Sequence, residues 1–256
     1  MNTVITYEFP LNERIRIFIR IEQLFQQLSH FLTAESIWEK RAAIDTLLDI
    51  MMIFSRNDLK SEIIKELERH STSLGLMANN EGIDSPKLQK ILGKLNHISK
   101  ALYSEGGKIG INAMDSDLFQ SISQRSSIPG GTCSFDLPAF HYWLHQDTQT
   151  QYKEIEQWTK PFTTIRSAID LILNFIRNSN TGTEEIAHAG FYQQSLEQNQ
   201  PFQLLRITLD RSIPCFAEIS GGKHRFSARF MIPSTNSSRP VQTTKDILFN
   251  LTCCQF

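Results

Sequence analysis

The spacing of apolar residues changes once along this 256-residue chain, and that change limits the folds open to it. Up to Asn178-Ser179-Asn180 the apolar side chains recur every three to four positions, the period of a helix with one buried face. From about residue 190 they recur at every second position, as in Leu205, Ile207, Leu209 and again Ile247, Phe249, Leu251, the period of strands with one buried face. Helices followed by strands, rather than alternating with them, predict an α+β fold in which the two kinds of element are segregated. The expected division is a mostly helical domain over residues 1–180 and a C-terminal antiparallel β-strand domain over 181–256. Ile5, Tyr7 and Phe9 alternate with Thr6 and Glu8 before Pro10, so residues 4–9 read as a strand available to that sheet.

The helical stripes can be placed individually. Asn12 is positioned to cap a first helix whose stripe is Ile15, Phe18, Ile21, Phe25, Leu28 and Leu32. Further stripes are Ile37, Arg41, Ile44, Leu48, Met51; Leu59, Ile63, Leu67, Leu74; and Leu88, Ile91, Leu95, Ile98, Leu102. Ser85-Pro86 supplies an N-cap and first-turn proline for the last of these, and Gly106-Gly107 its end. A short helix around Leu118, Phe119 and Ile122 precedes a tight loop at Pro129-Gly130-Gly131. A short aromatic helix through Tyr142 and Trp143 follows, then one long helix carrying Trp158, Ile165, Ile169, Ile172 and Ile176. In the strand region Phe216–Ile219 and Arg225–Ile232 flank Gly221-Gly222, which predicts a hairpin turned at the two glycines.

With 40% hydrophobic and 21% charged residues the chain has the composition of a folded globular protein. No apolar run approaches the roughly 20 residues of a membrane-spanning helix, and the start of the chain, with Glu8, Glu13 and Pro10, is unlike a secretory signal. A cytoplasmic protein with no membrane segment is expected. Cys133, Cys215, Cys253 and Cys254 then default to thiols, and the Asn-x-Ser/Thr triplets at Asn236 and Asn250 carry no meaning.

Charge is distributed unevenly. The whole chain has a formal net charge of -1, yet residues 201–256 hold seven Lys or Arg against three Asp or Glu. In Lys223-His224-Arg225-Phe226-Ser227-Ala228-Arg229-Phe230, strand alternation puts Lys223, Arg225, Ser227 and Arg229 on one face and His224, Phe226, Ala228 and Phe230 on the other. Three cations in a row with no acid among them repel one another unless something anionic lies over them. Arg16 and Arg20, one helical turn apart, carry a similar cost, with Glu13 close enough to take part of it. Pairing with acids of the fold or simple solvation is the plain explanation. The functional one is a surface for an anionic partner, for which arginine's planar fork suits carboxylates. A nucleic-acid-binding protein using the same strand face is the alternative, but Phe226 and Phe230 alternate to the wrong side for base stacking.

Catalytic and metal patterns fail on inspection. Gly222-Lys223 lacks the first glycine and the Ser or Thr of a phosphate-binding loop. His141 and His145 have a metal-compatible spacing without the following Glu or a third ligand. A hydrolase built on Cys133 with His141 or His145 has no activating pattern around it. No enzyme activity, cofactor or metal is expected.

Several ordered segments together are similar to one family. They are Phe9-Pro10-Leu11-Asn12-Glu13 with Arg16, Arg20, Ile21 and Glu22; Ser127-Ile128-Pro129-Gly130-Gly131; Cys133-Ser134-Phe135-Asp136-Leu137-Pro138; His141 with Trp143-Leu144-His145; Gly190-Phe191-Tyr192-Gln193; and Ser220-Gly221 with Lys223, Arg225-Phe226 and Arg229-Phe230. On these the chain resembles the ZapD family of bacterial cell-division proteins. The resemblance implies a non-enzymatic factor at the midcell division site, a homodimer, which binds the C-terminal tail of the tubulin-like protein FtsZ and cross-links its filaments at the Z-ring. It implies a basic pocket between a helical and a β-strand domain, composed here of Arg16, Arg20, Arg125, Lys223, Arg225 and Arg229, with His141 beside them. It assigns no residues to a dimer surface.

Overall fold

The computed structural model describes residues 3–56, 58–77, 85–105, 116–197, 200–234 and 239–255; the helix end at Gly106-Gly107 and the triplet at Asn236 lie outside the described residues. The fold is α+β and divides into two compact units, Ile19–Ile172 and Met1–Phe18 with Leu173–Phe256.

The Ile19–Ile172 unit is helical. It contains most of α1 (Glu13–Leu32), then α2 (Ile37–Arg56), α3 (Leu59–Met77), α4 (Ser85–Ser104), α5 (Asp117–Arg125), α6 (Pro138–Trp143) and α7 (Thr148–Thr159), and most of α8 (Thr163–Arg177). At the start of α1 the Asn12 side chain accepts a hydrogen bond from the Ile15 N–H at 2.9 Å, satisfying one of the donors a helix start leaves open. Predicted stripe residues are buried at Ile21, Phe25 and Leu28 on α1, Ile44 on α2, Ile63 and Leu67 on α3, and Leu95 and Leu102 on α4; on α2 the buried face continues through Leu47 and Ile50, and the predicted Leu48 and Met51 are only half-buried. Tyr103, near the end of α4, donates to Glu68 in the middle of α3 at 2.6 Å. Trp158 packs against Phe119 and Trp143, with ring centroids 5.1 and 5.8 Å away.

Two boundaries differ from those the sequence suggests. Helix α4 begins at Ser85 itself, so Pro86 is its second residue. The long helix expected through Trp158 and Ile176 is two helices, separated by a 3-10 turn at Lys160–Phe162. Pro161 is the reason, since it lacks the N–H an α-helix requires and its ring clashes with the preceding turn.

The other unit is two antiparallel sheets sharing one core. Its strands are β1 (Val4–Pro10), β2 (Thr183–Ala187), β3 (Phe191–Ser195), β4 (Phe202–Asp210), β5 (Phe216–Gly221), β6 (Arg225–Ile232), β7 (Val241–Gln242) and β8 (Ile247–Gln255). One sheet has the order β1-β4-β8-β2 and the other β3-β6-β5, with β7 also paired to β6. β1 lies along β4 from Val4 opposite Asp210 to Pro10 opposite Leu204. The shared core contains Leu205, Ile207, Phe249 and Leu251 from the first sheet and Phe226, Ala228 and Phe230 from the second. Phe230 and Tyr192 each meet Phe249, at 5.0 and 5.2 Å between centroids.

On the opposite face of β1 and β4, Glu8 is gripped by two arginines. Arg177, at the end of α8, donates to both Glu8 carboxylate oxygens at 2.8 Å. Arg206 of β4 donates to the same carboxylate at 3.1 Å. Each residue comes from a different stretch of sequence, and together they fasten the end of α8 to the sheet.

The hairpin between β5 and β6 is present, but it does not turn at Gly221-Gly222. The Gly222 N–H donates to the Arg225 carbonyl at 3.0 Å, which leaves Lys223 and His224 as the loop. Neither glycine has a left-handed φ. Gly221 has another use: a Cβ there would stand 2.7 Å from the Cβ of Phe226, its cross-strand neighbour, so only glycine lets the strands close at that point.

Candidate anion-binding face

β6 is the middle strand of the β3-β6-β5 sheet, and its alternation is as the sequence suggests. Phe226, Ala228 and Phe230 are buried, Arg225 and Arg229 exposed, and Ser227 half-buried. His224 departs from the expected pattern, because it sits in the loop, outside the strand, and is exposed beside Lys223 instead of facing the core. Register then fixes what surrounds each cation. Arg225 stands opposite Ser195 of β3, Ser227 between Gln193 and Ser220, and Arg229 between Phe191 and Glu218. The face therefore carries one acid that a reading along β6 alone omits. Directly opposite residues on neighbouring strands have Cβ atoms about 5 Å apart, close enough for Glu218 and Arg229 to sense one another's charge.

Two shallow clefts run along this face and meet at Ser220 and Ser227. One, of about 510 Å³, wraps the hairpin loop and is lined by Lys223, His224, Arg225 and Gln193. The other, of about 410 Å³, is lined by Glu218, Ile219 and Arg229. Beneath the face, burial, and then the Glu185 carboxylate, push the Tyr192 hydroxyl up to about 12, so it stays protonated. Among the described residues Lys223, Arg225 and Arg229 form no ion pair, nor does Arg20, exposed on α1.

The other predicted cations are engaged. Arg16 pairs with Glu13 at 3.1 Å, reaches the Pro10 carbonyl at 3.5 Å and lies 5.8 Å from the centre of the Phe9 ring. Arg125, the last residue of α5, pairs with Asp136 at 2.8 Å. Both are partly exposed, and such pairs contribute at most about 1 kcal/mol, so either arginine remains open to exchange for another carboxylate. His141 is exposed on α6, with its ring 4.5 Å from that of His145. Arg16, Lys223, Arg225 and Arg229 belong to the strand-rich unit; Arg20, Arg125 and His141 belong to the helical one.

Arg41 has a role that its place in an apolar stripe conceals. It donates to the Thr132 carbonyl and hydroxyl at 3.2 and 3.0 Å and lies 5.0 Å from the centre of the Phe140 ring, bracing the loop after Gly131. Among the described residues no group of three His, Cys, Asp or Glu could hold a metal ion, and no helix is long and apolar enough to cross a membrane.

Comparison with known proteins gives a consistent result. The family described as "ZapD: Cell division protein" matches residues 19–229. A cell division protein ZapD from Methylococcus capsulatus is 45% identical over 254 residues, covering 99% of both chains. One from Nitrosomonas eutropha is 38% identical over 251 residues, covering 98% of this chain and 99% of its own. One from Ralstonia nicotianae is 37% identical over 254 residues, covering 99% of this chain and all of its own.

Proposed function

This chain belongs to the ZapD family of cell division proteins, and on that premise we propose that it binds the C-terminal tail of FtsZ and cross-links FtsZ filaments into bundles at the Z-ring. The tail-binding residues in this reading are Arg16, Arg20, Arg125, His141, Lys223, Arg225 and Arg229. The observation that carries it is the exposed row Lys223, Arg225, Arg229, which has no ion-pair partner among the described residues. Lys223, in the hairpin loop, and Arg225, at the start of β6, lie two residues apart; like charges this close cost stability, and a peptide carboxylate relieves that cost.

Energetics favour a multivalent mechanism. Exposed charge pairs give ~0.2 to 1 kcal/mol each, so half a dozen fall short of the ~8 kcal/mol that micromolar affinity requires. A single tail binds weakly. A two-fold dimer in the cytoplasm offers two such sites, and a filament carrying many tails raises the effective concentration for the second site, which turns weak contacts into bundles at midcell.

The test is low-speed co-sedimentation with GTP-polymerised FtsZ, full-length against tail-truncated. Bundles that pellet only with the full-length protein support the proposal. Equal pelleting of both forms, or of neither, refutes it.

A further inference from the structure

The two ends of the β3-β6-β5 face are chemically different, and the difference is Glu218. At the loop end Arg225 has neutral cross-strand neighbours, Ser195 by register and Gly222 through its backbone hydrogen bond. At the other end Arg229 has Glu218 on one side and Phe191, 38% exposed, on the other. Between them Gln193, Ser220 and Ser227 are uncharged hydrogen-bonding groups suited to a peptide backbone. Arg225 and Arg229 are four residues apart, roughly 13 Å along a strand. That exceeds the Debye length of about 8 Å in physiological salt, so a ligand senses the two ends separately.

We infer that Glu218 is a specificity-determining residue, which biases this face toward peptides whose acid meets Lys223 and Arg225 and whose residue about four positions away is cationic or uncharged. A carboxylate placed over Arg229 also meets Glu218 across the strand pair, and its repulsion there offsets the attraction of Arg229. A lysine or arginine there is drawn to Glu218, which offsets its repulsion by Arg229. The face thus attracts an acid at its Lys223–Arg225 end and not at its Glu218–Arg229 end, which gives a bound peptide a preferred direction. This rests on the reading that the face takes a peptide, and deepens it.

The test uses fluorescence anisotropy with two labelled serine octapeptides on the full chain. One carries glutamate at its first and fifth positions, the other glutamate and lysine; each is also made in reverse order. The wild type favours the glutamate–lysine peptide, in one of the two orders, by about threefold relative to E218Q, the effect of one exposed charge pair. E218K moves the preference further toward the all-acidic peptide. The same preference in wild type, E218Q and E218K overturns the inference, and so does a wild type that binds neither peptide. The FtsZ tail peptide in parallel separates the two readings. If it binds while Glu218 variants leave the preference unchanged, only the selectivity fails; if it does not bind while the preference shifts, the selective face stands without FtsZ as its partner.

Discussion

Replacing Glu8 with glutamine removes a negative charge that Arg177 and Arg206 share. Three charge-assisted hydrogen bonds converge on this carboxylate, two from Arg177 at 2.8 Å and one from Arg206 at 3.1 Å. A well-shielded bond of this kind contributes about 1.5 to 3 kcal/mol net. The side chains of Glu8, Arg177 and Arg206 keep 18%, 23% and 30% of their exposure, so water screens part of that, and about 1 kcal/mol per bond is the appropriate scale. Glutamine keeps the shape and one acceptor but takes from the two guanidiniums the carboxylate they share. The expected loss is about 3 kcal/mol, equivalent to roughly 10 °C in Tm at 2 to 4 °C per kcal/mol for a chain of this size. Urea unfolding followed by circular dichroism measures it directly. A loss below about 0.5 kcal/mol, the scale of an ordinary surface change, would refute the view that this triad fastens α8 to the sheet.

Other perturbations have equally specific outcomes. Arg225→Glu should weaken tail binding severalfold and make the remainder less salt-dependent, with an unfolding midpoint close to wild type because the side chain is exposed; unchanged binding would remove the strand face from the site. Gly190→Ala should destabilise by about 2 kcal/mol or more, since Gly190 has φ +70° and a Cβ would lie 2.6 Å from the Thr243 carbonyl oxygen, whereas Gly222→Ala, with open space around it, should be nearly neutral in the same denaturation assay. Burial pushes the Cys253 thiol up to about 11 and the Cys254 thiol up to about 12, while Cys133 is exposed, so a chromogenic disulfide reagent at mild alkaline pH should titrate Cys133 rapidly and Cys253 and Cys254 only on unfolding. The Ala189 N–H, donating at 2.8 Å, and then His188 hold the Asp246 carboxyl below its ordinary value. Its stabilising contribution is therefore present above the unfolded-state pKa near 4 and lost as pH falls through the lower folded value, and Asp246→Asn should flatten that acid limb of the stability curve.

Local patterns were readable in the sequence and long-range ones were not. The change of apolar period marks where helices give way to strands, Asn12 is identifiable as a cap because its side chain acts three residues away, and the exposed faces of Arg225 and Arg229 follow from alternation alone. The hairpin register was misjudged because consecutive glycines look like a turn, whereas Gly221 serves the approach of Phe226 and the loop lies two residues further on. That shift matters for the site: a turn centred on the glycines would put Glu218 opposite Arg225, while the actual register puts it opposite Arg229. The split between α7 and α8 was signalled by Pro161, outweighed by the apolar residues on either side. Nothing local in positions 8, 177 and 206 announces that they meet, nor that Arg41 reaches Thr132, because such pairings are decided by how the elements pack.

The strand order β1-β4-β8-β2 also sets a timetable for synthesis. A ribosome makes β1 long before its partner β4, which ends at Asp210, and β8, which joins β4 to β2, begins only at Ile247. The helical unit is complete at Ile172, whereas β1 must wait, unpaired, until β4 has been made. A nascent chain interrupted before Ile247 would carry a folded helical unit attached to a sheet missing its interior, with β2 and β4 exposing edges to any neighbouring chain. Closure of β8 is thus the step at which an incomplete product becomes distinguishable from a finished one, by protease resistance of the strand-rich unit.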